Sequence, residues 1–105
     1  VIRGECYAHQ NEFSIAASDY TKAIKIDATN PTYYFDRGFF YLQLQEYQKA
    51  QGDFIKAIAY DHKDIRLAYF NLGISSYHLG QKDKACEQWR KSENVGMDYI
   101  NKYCN

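Results

Sequence analysis

Proline is nearly missing from this chain: Pro31 is the only one in 105 residues. Net charge is missing as well, since 13 Lys and Arg balance 13 Asp and Glu. That balance argues against a general nucleic-acid binder or a membrane-surface binder, either of which needs excess positive charge. No apolar run approaches the roughly 18 residues of a membrane span, and no secretory signal is visible. There is no Gly-rich phosphate loop. The three cysteines, Cys6, Cys86 and Cys104, form no Cys-x-x-Cys, which disfavours a zinc site or a thioredoxin-like motif. His62 falls in an expected turn, and His9 and His78 hold equivalent places two units apart, so no metal site is expected. Asp61 and Asp64 read as caps around a turn and not as an acid/base pair. No catalytic constellation and no cofactor are expected.

Helical periodicity and aromatics are what the chain does have, with 11 Tyr and 6 Phe. Few prolines combined with spacings of three and four favour an all-α domain. Gly4, Gly38 and Gly73 stand 34 and then 35 residues apart. Ala16, Ala50 and Ala85 keep that phase, as do Tyr20, Phe54 and Trp89, and Ala23, Ala57 and Ser92. A period of this length points to a solenoid of helix–turn–helix units, a scaffold that presents a surface. The glycines and alanines let paired helices approach closely, and the aromatic column fills the space between them. A glycine inside a helix costs about 1 kcal/mol relative to alanine, so its recurrence in register implies a packing purpose.

The second unit defines the pattern. Asn30 and Pro31 start its first helix, an N-cap followed by a proline tolerated in the first turn. That helix, A, runs from Thr32 to about Leu44, and the second, B, from Glu46 or Tyr47 to about Tyr60. Asp64 is expected to cap helix A of the third unit, and Gly80 to end it. Gln10 and Asn11 are expected to fill the same turn in the first unit. The units divide as about 1–30, about 31–64 and about 65–96, within one domain over 1–105. Beyond Trp89 the repeat fades, Gly96 breaks the chain, and Asp98 caps a closing helix over about 98–105. Ile100 and Cys104 share a face of that helix, which covers the last helix B, because a terminal repeat has apolar surface without a neighbour. Two readings of the cysteines stay open: buried small apolar side chains, or a Cys86–Cys104 disulfide if Cys86 points toward the cap. The chain begins at Val1, inside the first unit, as expected of a fragment, a processed chain or one with disordered upstream residues. Either a cytoplasmic or a periplasmic setting is compatible with that.

The segments Gly38-Phe39-Phe40-Tyr41, Gln45-Glu46-Tyr47-Gln48-Lys49-Ala50 and Asp53-Phe54-Ile55-Lys56-Ala57-Ile58 resemble the tetratricopeptide repeat. Tyr69-Phe70-Asn71-Leu72-Gly73 and Ser18-Asp19-Tyr20-Thr21-Lys22-Ala23-Ile24 do so too. Lys82 departs from the pattern of Phe13 and Tyr47, and Ser76 from that of Tyr7 and Tyr41. The resemblance implies a right-handed superhelix of antiparallel helix pairs whose concave face, lined by the A helices, holds a protein or peptide partner without catalysis. Carried onto this chain, the face takes Thr32, Phe35, Phe39 and Leu42 from the second unit. Leu67, Phe70, Ile74 and Tyr77 follow from the third, and Val1, Glu5 and Ala8 from the first. Glu5, Asp36, Gln43, Asn71 and His78 add polar contacts. The binding set is therefore Glu5, Phe35, Phe39, Leu42, Gln43, Leu67, Phe70, Ile74, Tyr77 and His78. One subclass of the family grips a C-terminal carboxylate with Lys, Arg and Asn. The matching positions here are Val1, Glu5, Asp36, Leu67 and Asn71, none of them basic, so that grip is not expected. Two further alternatives are carried: self-assembly into a homo-oligomer through the apolar face or the incomplete first unit, and service as the docking arm of a larger enzyme.

Overall fold

The computed structural model describes residues 2–104, with side chains from residue 11 onward except at position 94. Six helices follow one another: α1 (Ile2–Ile26), α2 (Pro31–Gln43), α3 (Tyr47–Ala59), α4 (Ile65–His78), α5 (Lys82–Lys91) and α6 (Met97–Tyr103). A short 3₁₀ turn, Glu93–Gly96, precedes α6, and no strand occurs among the described residues. Each helix packs on the next, and α2 also touches α4. The result is an all-α superhelical solenoid in which α2–α3 and α4–α5 are antiparallel hairpins.

Local chemistry sets the boundaries. The Asn30 side chain accepts from the Thr32 amide at 3.0 Å ahead of Pro31, and Asp64 accepts from the Leu67 amide at 3.3 Å. These bonds satisfy donors left open at helix starts. The ends of α2, α3 and α4 share one device. Gln45, Asp61 and Gly80 take positive φ, at 61°, 62° and 80°. The amide after each reaches back five residues, Glu46 to Tyr41, His62 to Ala57 and Gln81 to Ser76, at 2.9 Å in every case. This is the left-handed helix stop, and glycine supplies it at only one of the three ends. Asp61 is thus the reversing residue of its turn and not a cap.

The first unit departs from expectation. Gln10 and Asn11 form no turn, and α1 runs through them without interruption. Asn11 stands in the column of Gln45 and Gly80. Gln45 takes the left-handed conformation without being glycine, so residue type does not forbid a stop at Asn11; no glycine or proline forces one there, and the helix continues. Residues 2–10 therefore extend away from residues 12–26. The closing helix also starts slightly earlier than expected: Gly96 is its N-cap and makes no side-chain cap bond, so Asp98 lies inside the first turn.

Two core clusters follow the repeat. Ala50, Phe54 and Leu72 form one; Ala85, Cys86 and Trp89 form the other. Gly38 lets α2 approach α3 so closely that an added Cβ would come within 3.1 Å of the Phe54 ring. At Gly73 the fit is tighter, and a Cβ would overlap the Trp89 indole. The indole N–H donates to the Phe70 carbonyl at 3.2 Å, which fixes the ring against α4. Ser92, fully buried, donates to the Trp89 carbonyl and so satisfies its hydroxyl where the earlier units carry alanine. Cys86 and Cys104 are joined as a disulfide with Cα atoms 5.8 Å apart, which ties α6 to α5.

Candidate functional site

The A helices α2 and α4 touch one another, and each carries half of the expected stripe. Phe39 is its most open aromatic, 43% exposed, set edge-on to Phe40 at 5.7 Å. Its neighbour Gly38 is buried against α3, so the backbone beneath Phe39 is held firmly. Phe35 and Leu42 are half-buried and pack onto the Ala50–Phe54–Leu72 cluster. Phe35 also stacks on buried His62 at 4.5 Å. His62 in turn accepts from the Asp64 amide at 3.0 Å, so this histidine is a packed side chain of the turn. Gln43 is exposed and Leu67 half-buried. The side chains of Glu5 and Ala8, and all of Val1, lie outside the described residues.

In α4 the stripe meets the closing helix. Phe70 stands edge-on to Tyr99 at 4.9 Å, and Tyr77 lies 4.7 Å from Tyr103 and 5.8 Å from Trp89. Ile74 packs on the same cluster, and all three are half-buried. A cavity of about 150 Å³ remains, lined by Ile74, Tyr77, His78, Trp89, Tyr99 and Tyr103. Drug-sized ligands occupy cavities of about 300–1,000 Å³, so this hollow suits a single side chain. His78 is exposed and stacks on Tyr47 at 4.3 Å, which carries the stripe across to α3. Tyr99 and Tyr103 escaped the sequence reading. The signal was available, because they sit four apart on the closing helix and flank Ile100.

Electrostatics separates the face from its support. The Arg37 guanidinium forks onto Asp53 at 2.8 and 2.7 Å and donates to Thr21 at 3.1 Å. This polar lock joins α1, α2 and α3, with the Tyr34 and Tyr41 rings 5.8 and 5.6 Å from the cation. The hydrogen bond to Asp53 raises the Arg37 pKa, and burial opposes it. Arg37 is therefore fully engaged and offers no charge to a visitor. Burial, then the nearby Asp36 carboxylate, raises the Tyr20 phenol above its ordinary value. The lock too was legible: Arg3 and Arg37, and Asp19 and Asp53, recur at the 34-residue period. Two open furrows of about 380 and 350 Å³ lie on the opposite side, between successive B helices. They hold equivalent repeat positions and follow from the stacking alone. No group of metal-ligating side chains occurs among the described residues, and none of their helices is long and apolar enough to cross a membrane.

Known proteins share this architecture. The tetratricopeptide repeat family matches residues 19–52. The yeast protein "Small glutamine-rich tetratricopeptide repeat-containing protein 2" (Saccharomyces cerevisiae) is 35% identical over 97 residues, 92% of this chain. The chain spans only 28% of that relative's length. Among solved structures, the Arabidopsis OM64 TPR domain superposes with a TM-score of 0.75 at 28% identity, covering 94% of this chain and 88% of the other. The first TPR of Spaghetti (RPAP3), bound to the HSP90 peptide SRMEEVD, superposes at 0.81 with 21% identity, covering 97% and 85%. Three phased copies of the motif, the two hairpins α2–α3 and α4–α5 and these likenesses agree: the chain belongs to the tetratricopeptide repeat family.

Proposed function

We propose that this chain is a protein–protein interaction module whose α2–α4 face seats an apolar segment of a partner protein, without chemistry of its own. The observation that carries the reading is Phe39, a large aromatic 43% exposed on a helix packed closely against α3 at Gly38. Phe35 and Leu42 lie beside it on α2. On α4, Ile74 and Tyr77 line a hollow sized for one anchoring side chain. Apolar anchors laid into a groove, each flanked by half-buried neighbours, are how helical and extended peptides are commonly held.

An acidic C-terminal peptide such as the one named with RPAP3 is a poor fit. Asp36 stands on or near the face, Asn71 is buried, and Arg37 is committed to Asp53. A terminal carboxylate here meets like charge at Asp36 and finds the Arg37 guanidinium already paired. The partner segment is therefore expected to be apolar, and neutral or basic.

The test is fluorescence polarisation with labelled peptides that carry two or three apolar anchors, and SRMEEVD as the acidic comparator. The candidates come from affinity capture with mass spectrometry, comparing wild type with Phe39→Glu. Phe39→Glu is expected to weaken binding by roughly 30-fold, the equivalent of about 2 kcal/mol at a hot spot, while helical circular dichroism stays intact. Phe70→Glu is expected to act likewise through the α4 half. Unchanged affinity in both variants defeats the assignment.

A further inference from the structure

The closing helix covers much and is held by little. It has seven residues and fully buries none of them, and a helix this short does not persist by itself. Its backbone lies close to α5 and to the preceding turn, and not to α4. Among the described residues, no side-chain hydrogen bond or ion pair joins 97–104 to the rest of the chain. Two attachments remain: the packing of Tyr99, Ile100 and Tyr103 around Trp89, and the bond from Cys104 to Cys86. What α6 covers is the α4 half of the candidate face. Tyr99 stands on Phe70 and Tyr103 on Tyr77, and both wall the 150 Å³ hollow beside Ile74. On the α2 half Phe39 stays open. The point of attachment is also defined. Gly96 is buried, and a Cβ there would come within 2.8 Å of the Trp89 carbonyl oxygen. The Glu93–Gly96 turn packs on both α4 and α5. The chain is therefore fixed as far as Gly96, and residues 97–104 form the unit that can move.

We propose that the Cys86–Cys104 disulfide is a redox latch, which holds α6 over Phe70, Ile74 and Tyr77 and releases it on reduction by a dithiol. The inference rests on the α2–α4 reading only for what the uncovered face receives. Cys104 is half-buried and Cys86 is 6% exposed, so a thiolate of the reductant meets Cys104 Sγ first. A mixed disulfide forms there as the S–S bond breaks, and the electron pair leaves on Cys86 Sγ, which takes up a proton. The second thiolate of the reductant then displaces Cys104 Sγ, which takes up the other proton. The dithiol ends as a disulfide and the protein as two thiols, two electrons having passed. After that step α6 stays in place through its rings alone, and the bond across an 18-residue separation no longer restrains it. When α6 lifts, the α4 residues become open in the way Phe39 is on α2. Reduction therefore widens the apolar face, and reoxidation narrows it.

Amide hydrogen exchange of the full chain, read by mass spectrometry with and without dithiothreitol, tests this. On reduction, residues 97–104 are expected to exchange at least about 10-fold faster, with α2 and α3 unchanged. Cys86→Ser with Cys104→Ser is expected to exchange at the faster rate without reductant and to ignore its addition. Nile red, a neutral apolar dye, reads the uncovered surface. Its emission is expected to rise on reduction and to fall again on reoxidation. Protection of the α6 amides that survives reduction overturns the proposal. So does a loss of protection that spreads through α2 and α3, or dye emission that reduction leaves unchanged. None of these readouts needs a partner. A working latch beside an ineffective Phe39→Glu defeats the binding reading alone, and a failed latch beside an effective Phe39→Glu defeats this inference alone.

Discussion

The hairpins α2–α3 and α4–α5 share a period and a glycine-on-aromatic contact, yet they are fastened by different chemistry. The first is joined by charge: Arg37 and Asp53 form a two-pronged pair, the Asp53 side chain only 6% exposed, and Thr21 draws α1 into the same knot. The second uses neutral groups. Ser76 donates to Gln88 at 2.7 Å and accepts from Gln51 at 3.0 Å, and Gln51 also donates to Gln81 at 2.8 Å. The second also takes a larger aromatic, Trp89 for Phe54, and a disulfide to its covering helix. A recurring backbone contact thus tolerates exchange of the polar lock around it. The Ser76 departure from the tyrosine column has a cause here, because the small hydroxyl leaves room for both glutamines.

The comparison can be broken at its strongest point first. Trp89→Ala empties the centre of the second cluster and is expected to cost about 3–5 kcal/mol, read as a fall in the urea midpoint at unchanged slope. Removing the disulfide by Cys86→Ser with Cys104→Ser opens an 18-residue separation and is expected to cost about 3 kcal/mol. Thermal melts with and without a reducing agent measure the same loss in the parent chain. Asp53→Ala strands a guanidinium whose side chain is 17% exposed and is expected to cost about 1.5–3 kcal/mol, against about 1 kcal/mol for Ser76→Ala in the neutral lock. Equal losses at these two sites would erase the distinction between the hairpins. The two glycine substitutions differ in sign. Gly73→Ala drives a methyl into the indole and is expected to destabilise by about 1–3 kcal/mol. Gly52→Ala, in α3 with nothing within 4 Å of its Cβ position, is expected to stabilise by up to about 1 kcal/mol.

Much of the solenoid was legible because its signals are local and repeated. Asn30, Asp64 and Gly80 punctuate the helices by their own chemistry, and the Gly38–Phe54 and Gly73–Trp89 contacts recur in phase. The continuous α1 was not legible from spacing. Asn11 tolerates either a turn or a helix, and which one wins depends on tertiary packing that the repeat column does not record. For the candidate face, its composition was readable and the degree of burial was not. Phe39 is open while Phe70, Ile74 and Tyr77 are half-covered, and the difference lies in Tyr99 and Tyr103, which the fading repeat gave no column to place. Glu5 falls outside the described side chains.

Trp89 is the only tryptophan of the chain, 1% exposed and enclosed by the rings of Tyr77, Tyr99 and Tyr103. The molecule thus contains a single indole fluorophore, excitable apart from its tyrosines at the long-wavelength edge of absorption, and it sits under the closing helix. Emission from a dry, enclosed indole is blue-shifted, and lifting α6 would wet it and move the maximum to the red. Light from this one residue reports on the C-terminal lid alone and is blind to events at α1, so the two ends of the solenoid can be followed separately in one unlabelled sample.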